Sequence, residues 1–252
     1  MDKEYRNITP EEVFFIFKEE HRICSPLDFE ADPTVKLSME SSIREWRDSM
    51  DLLPWRKLSK YLNEEFEINI PKKEWEVILE PDRKKKLADV CELISKHAQI
   101  EIIKPIKVFG QECLSASIFK TIKRNLAKRG VDTAGLKPSS PIEPYLKNNF
   151  GEFIEQINKN YTGVIPEIKN SETTIGKINS LIWITFMISL LLGFFWRPIW
   201  IITTVLFITG LYSGFSERRE FKENSEMMYI PEIRTFRELV EAIIEKKYAI
   251  QQ

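Results

Sequence analysis

Apolar residues recur at helical spacing in several stretches of the chain, separated by polar segments that contain proline. Thr9-Pro10-Glu11-Glu12 offers a capping threonine, a first-turn proline and a glutamate able to reach back to the cap. The apolar-rich VFFIFKEEHRI follows, so a helix is expected from residue 10. Residues 25–42, with two prolines and several turn formers, read as a loop. A second helix is expected to begin near Pro54, because Trp55, Leu58, Leu62 and Phe66 share one face. Pro71 ends the FEINIP segment that follows, since proline cannot continue a helix. In KLADVCELISKH, Leu87, Val90, Cys91 and Ile94 line one side, which makes Cys91 a core residue rather than a reactive thiol. Phe66, Leu62 and Leu87 are expected to be buried together.

The pattern then repeats in outline. Phe119, Ile122 and Leu126 form a stripe with Gly130 suited to the helix end. Leu146, Phe150, Phe153, Ile154 and Ile157 form another, and Phe236, Leu239, Val240 and Ile243 a last one near the C-terminus. The fold class expected for all of these parts is all-α.

Two stretches differ in kind. Residues 178–196 and 198–216 contain no charged side chain and are separated by Arg197. A helix over the first would be about 28 Å long, close to the hydrocarbon thickness of a bilayer. These stretches are expected to form a two-helix transmembrane hairpin over 178–216. Thr185, Ser189 and Gly193 recur every four positions on the first helix, as do Gly210 and Gly214 on the second. Small residues at that spacing let helices approach closely in lipid, within one hairpin or between two copies of the chain. Lys169 and Lys177 precede the hairpin and Arg218, Arg219 and Lys222 follow it, against Arg197 alone in the turn. This distribution places both flanks in the cytoplasm of a two-pass protein of the inner membrane.

Composition narrows the chemistry. The chain has 252 residues, 37 basic and 38 acidic, for a formal net charge of −1. Binding to nucleic acid through a broad positive surface is therefore not expected. Cys24, Cys91 and Cys113 form no CxxC pair, and His21 and His97 are the only histidines, so neither a disulfide framework nor a metal site is expected. The polar N-terminus carries no apolar signal-peptide core. No glycine-rich phosphate loop, HExxH or Gly-x-Ser-x-Gly occurs. Glu64-Glu65 reads as part of a solvated helix face. Arg83-Lys84-Lys85-Lys86 and the group Lys120, Lys123, Arg124, Lys128 and Arg129 are basic clusters, solvated or steered towards anionic lipid headgroups.

YLNEEFEINIPKKEWEVI followed by KLADVCELISKH resembles the second half of an acyl carrier protein. In that family a helix runs into an acidic-aromatic turn ending in Ile-Pro, and a last short helix packs back across it. With the capped first helix and long loop, the resemblance covers about residues 8–97. It implies a carrier-protein-like helical bundle and a phosphopantetheine group on a serine at the start of the second helix. Asp48-Ser49-Met50-Asp51 offers Ser49 as that cofactor-binding residue, yet the family's spacing from Phe66 falls on Leu52, which has no hydroxyl. The family's acidic second helix is replaced by one carrying Arg56, Lys57 and Lys60. Ser49 then reads as a surface or helix-capping serine.

The second half resembles the same family more faintly, with Lys147 at the expected attachment position. Phe236, Leu239, Val240 and Ile243 match Leu87, Val90, Cys91 and Ile94 in spacing, and Ile-Pro-Glu-Ile occurs at both 165–168 and 230–233. The expected organisation is a carrier-like domain over 1–100, a second helical, degenerate carrier-like domain over 101–170 completed by 226–248, the hairpin over 178–216, and a C-terminal amphipathic helix within 217–252. A generic C-terminal helix accounts for the last stripe equally well. Three readings of function follow. The first is a membrane-anchored, non-catalytic adaptor or assembly module without cofactor or catalytic residue, partnered by lipid and by another protein or a second copy. The others are a membrane-tethered carrier modified on Ser49 and a structural subunit of a membrane complex.

The distribution of basic residues generates a first testable outcome. Cysteines introduced at Asn170 and Ser225 should react with an impermeant maleimide only from the cytoplasmic side, and one at Arg197 only from the other. Labelling of position 197 from the cytoplasm would defeat the hairpin.

Overall fold

The computed structural model describes residues 3–170 and 228–249. The expected hairpin, with Thr185, Ser189, Gly193, Gly210 and Gly214, lies outside the described residues. Among those described, no helix is long and apolar enough to cross a membrane.

Residues 1–168 and 230–252 form one unit and residues 169–229 another. The first unit is built mostly of helices. Helix α1 (Pro10–Cys24) starts at the expected capping box, in which Thr9 Oγ1 accepts from Glu12 N–H and Glu12 accepts from Thr9 N–H. It is followed by α2 (Ile43–Ser49), α3 (Trp55–Glu65), α4 (Lys72–Leu79) and α5 (Leu87–His97). Phe17, Trp46 and Phe66 stack at its centre, with Phe17 ring centroids 4.7 Å and 5.9 Å from the other two. Leu62, Phe66 and Leu87 are buried in one cluster, as their stripes require. The FEINIP turn is held by one side chain. Asn63 Oδ1 accepts from Ile70 N–H and Trp75 Nε1, both at 3.1 Å, and Asn63 Nδ2 donates to the Ile70 carbonyl.

Short helix α2 is a correction to the loop and helix boundaries read from the sequence. Ser42 caps it by accepting from Glu45 N–H, and Trp46 carries its buried face. An all-α class is also too narrow. Strand β1 (Glu4–Asn7) pairs antiparallel with β2 (Gln99–Ile102), and β3 (Ile106–Val108) with β4 (Gln111–Cys113). These strands are only three or four residues long, too short for an alternation such as Gln99-Ile100-Glu101-Ile102 to stand out against the helical background.

The second group contains α6 (Leu114–Lys128), α7 (Glu143–Asn148), α8 (Phe150–Asn160) and α9 (Phe236–Ala249). Helix α6 ends at Gly130, whose φ of +84° suits the left-handed position after a helix. Helix α9 closes this group as α5 closes the first: Phe236 meets Tyr145, Phe153 and Phe119 edge-on at 5.2, 6.1 and 6.4 Å.

The two groups share one backbone framework. In the first, Ser38 N–H donates to Ser41 Oγ, Ile43 N–H to Lys85 O, Leu87 N–H to Ser41 O and Ala88 N–H to Met39 O. In the second, Lys137 N–H donates to Ser140 Oγ, Ile142 N–H to Arg234 O, Phe236 N–H to Ser140 O and Arg237 N–H to Pro138 O. The bridges Ser42–Lys86 and Pro141–Thr235 correspond, as do the closing-helix caps Asp89 and Glu238. Residues on either side of 169–229 thus complete one group. All four isoleucines of the two Ile-Pro-Glu-Ile segments are buried in it. Where the sequence divides the chain near residue 100, the structure packs both groups into one unit. In the other unit, β5 (Lys169–Asn170) pairs antiparallel with β6 (Met228–Tyr229).

Leu62 is 1 % exposed in the shared core of the first group. Leu62→Ala should lower the unfolding free energy of the full chain by about 2–5 kcal/mol, as large-to-small core changes do. An unchanged denaturant midpoint would show that the stripe does not form this core.

Candidate functional site

The distinctive chemistry lies where the two groups meet, at the C-terminal end of α3. The last carbonyls of a helix lack intrahelical partners and carry partial negative charge. Here they are met by cations from the second group. Arg129 Nη2 donates to Glu64 O at 3.0 Å and Glu65 O at 3.2 Å, and Lys159 Nζ donates to Glu65 O at 2.9 Å. Asn158 Nδ2 donates to Ile16 O of α1 at 3.0 Å, and Arg22 reaches the Ile165 carbonyl. Arg124–Glu101 at 2.5 Å and Lys128–Glu67 at 2.6 Å extend the seam. Arg124, Lys128 and Arg129 of the basic cluster are thus committed to joining the groups, which corrects their reading as a solvated or lipid-facing surface, whereas Lys120 of the same cluster is exposed. Lys123 also donates to the Leu136 carbonyl.

Inside this seam lie carboxyls that the sequence reading put on a solvated face. Glu65 is 1 % exposed, and Glu20 of α1 is buried beside it. Among the described residues, no N–H or hydroxyl donor meets either Glu65 oxygen or Glu20 Oε1. Burial without donors favours the protonated form of such carboxyls. Burial raises both pKa values, that of Glu20 to about 7 and that of Glu65 well above the ordinary carboxylate range, where the Glu20 charge adds to the effect. Glu155 on α8 is raised by the same desolvation, and Lys159 is lowered by it. Glu65 falls in the stripe of Leu58 and Leu62, and Glu20 in that of Val13 and Phe17. A carboxylate within an apolar stripe was the available signal.

A cleft of about 320 Å³ opens beside the seam, walled by Phe15 and Ile16 of α1, Ile100 of β2 and Ile243 of α9. Lys159 and Lys246 stand at its polar side, and Lys246 donates to the Gly163 carbonyl. Gly163 has φ of +78°, and a Cβ there would lie 3.1 Å from the Phe15 ring. The cleft can take a small apolar group. Among the described residues, no cluster of His, Cys, Asp and Glu is arranged to hold a metal ion. His21 Nε2 is engaged by the Asp32 carbonyl at 3.0 Å. Burial pushes the Cys24 and Cys91 thiols up to about 12, so neither is a thiolate near neutrality.

Ser49 is neither at the surface nor at a helix start. It is the last residue of α2, 1 % exposed, and its hydroxyl donates to the Trp46 carbonyl at 2.9 Å. Leu52 is half-buried before α3, and Lys147 lies exposed on α7. The structure therefore brings no hydroxyl to either position that the carrier resemblance singles out. No family model, curated protein or solved structure matches this chain.

The raised pKa values of Glu20 and Glu65 make stability depend on pH. Both folded values lie above the unfolded carboxyl value near 4.5, so the native state binds more protons in between. This contribution is fully present below pH 4.5 and declines as the pH rises, Glu20's part being gone above about 7. Glu65→Gln keeps a neutral donor beside Glu20. It should flatten the dependence of Tm on pH between 5 and 8 and stabilise the chain at pH 8 by about 1–3 kcal/mol. A variant as pH-sensitive as the wild type would place the titration elsewhere.

Proposed function

We propose that the chain is a membrane-anchored, non-catalytic assembly module: two carrier-protein-like helical groups on the cytoplasmic face that carry no phosphopantetheine. The observation that carries this reading is Ser49, whose hydroxyl is buried and spent on the Trp46 carbonyl. Attachment requires an exposed hydroxyl within a surface that a transferase can approach. The neighbouring face of α3 bears Arg56, Lys57 and Lys60, of the wrong sign for an enzyme that docks on an acidic helix.

The anchor is supported by the two uncharged stretches and by the course of the chain around them. Residues before 169 and after 229 belong to one folded unit and so share one compartment. A membrane insertion between them crosses the bilayer an even number of times, in agreement with the two-pass topology drawn from the basic flanks. The partners expected are lipid and a protein, either another chain or a second copy.

Co-expression with a broad-specificity phosphopantetheinyl transferase, followed by intact mass measurement, tests the reading. No mass increase of a phosphopantetheine group is expected. Ser49→Ala should cost no more than about 1 kcal/mol, the loss of one hydrogen bond, and leave localisation unchanged. An adduct in the wild type that Ser49→Ala abolishes would make the chain an active membrane-tethered carrier.

A further inference from the structure

The β3–β4 hairpin turns through Phe109 and Gly110, with φ of +51° and +84°. Tight hairpins of this twist favour asparagine or glycine at both positions, and a left-handed backbone is unfavourable for a bulky side chain. The Phe109 ring is also fully exposed, with no side chain packed over it. Neither turn geometry nor core packing accounts for an aromatic residue there, and residues held on unfavourable backbone concentrate at functional positions.

The surroundings of the hairpin are basic. A cleft of about 560 Å³ between the β2–β3 segment and α6 is lined by Lys3, Lys104, Lys107, Lys120 and Arg124, against only Glu4 and Glu101. Lys104 pairs with Glu4, while Arg124 and Lys3 share Glu101. Among the described residues, Lys107 and Lys120 have no acidic partner within ion-pair distance. Glu112 stands opposite Lys107 in the ribbon register, and it too is exposed. Among the described residues, Phe29 is the other phenylalanine turned almost wholly to solvent, yet its neighbours along the chain are Asp28, Glu30 and Asp32.

We propose that the Phe109 hairpin and the adjoining lysine cleft form a contact with an anionic lipid surface. Phe109 enters the headgroup region, and Lys107 and Lys120 meet lipid phosphates. Aromatic rings favour the membrane–water interface, and lysines beside it are attracted by anionic headgroups within a Debye length. The charge of the cleft selects an anionic leaflet, and an acidic loop such as that of Phe29 is repelled by one. The inference rests on the anchored reading above, which keeps this unit close to a bilayer.

The test uses the full chain reconstituted in phosphatidylglycerol or phosphatidylcholine vesicles. A single environment-sensitive fluorophore is placed at Phe109→Cys or, as a control, at Phe29→Cys. The background carries Cys24→Ser and Cys113→Ser, because both thiols are part-exposed and that of Cys113 has its pKa lowered by the Ser115 hydrogen bond, whereas Cys91 is buried. In phosphatidylglycerol, spin-labelled lipid should quench the label at 109 severalfold more than that at 29. The difference should vanish in phosphatidylcholine, at high salt, or with Lys107→Glu and Lys120→Glu. Equal water exposure of both labels in phosphatidylglycerol would overturn the proposal. So would shielding at 109 that follows protein concentration rather than lipid charge, since it would mark a protein contact. Alkaline extraction of the same vesicles reports on the anchor separately. A chain released by alkali lacks the anchor, and its label at 109 is then read on re-addition to phosphatidylglycerol vesicles.

Discussion

The architecture of the described chain depends on how the C-terminal end of α3 is satisfied. A helix end directed into the protein rather than into water leaves carbonyls that must find donors. In this protein the donors are Arg129 and Lys159, supplied by the other helical group. Because the charge lies at a helix C-terminus, each cation gains from the helix dipole as well as from the hydrogen bond. The first group cannot bury this end alone, and the second cannot place two inward-facing cations without it. That mutual need explains why the two groups form one unit rather than two beads on a linker.

The arrangement has a cost, visible in the acid pair behind it. Bringing α1, α3 and α8 together buries Glu20 and Glu65 with too few donors, and an unpaired buried carboxylate is far more expensive than a protonated one. Holding a proton is the lower-energy solution. The same seam is therefore tightest in mild acid and weakens towards alkaline pH, opposite in sign to a surface held by ordinary salt bridges. Arg124–Glu101 and Lys128–Glu67, which lie further out and partly in water, do not offset it, since exposed ion pairs contribute little.

Much of the helical plan was legible in the sequence. The Thr9–Glu12 capping box, the stripe of Leu58, Leu62 and Phe66, and the matched spacing of α5 and α9 all appear as side-chain patterns with a local physical cause. What was not legible depended on contacts distant along the chain. Glu65 looks like one of many acidic residues beside lysines until α1 and α8 close over it. Arg124 and Arg129 look like part of a solvated or membrane-facing cluster until their partners on β2 and α3 are known. Ser49 attracts attention through its neighbours in sequence, yet Trp46 and the core decide where it points. The ribbon of β1 and β2 joins segments at opposite ends of the first group, beyond the reach of any local pattern.

The shared backbone framework constrains how the chain can fold. In the second group, Ile142 N–H and Ser140 O find their partners on Arg234 and Phe236, beyond the 169–229 segment. Until those residues return, α6, α7 and α8 lack the helix that covers Phe119, Tyr145 and Phe153. The first group has its closing helix, α5, already in hand and can assemble earlier. Completion of the second group then follows placement of the intervening segment, whatever the surroundings of that segment are. If that segment inserts into a bilayer, α9 docks only after the chain has come back to the side it left. Closing the seam around Arg129 and Lys159 thereby couples the fold of the described unit to the topology of the part between its halves.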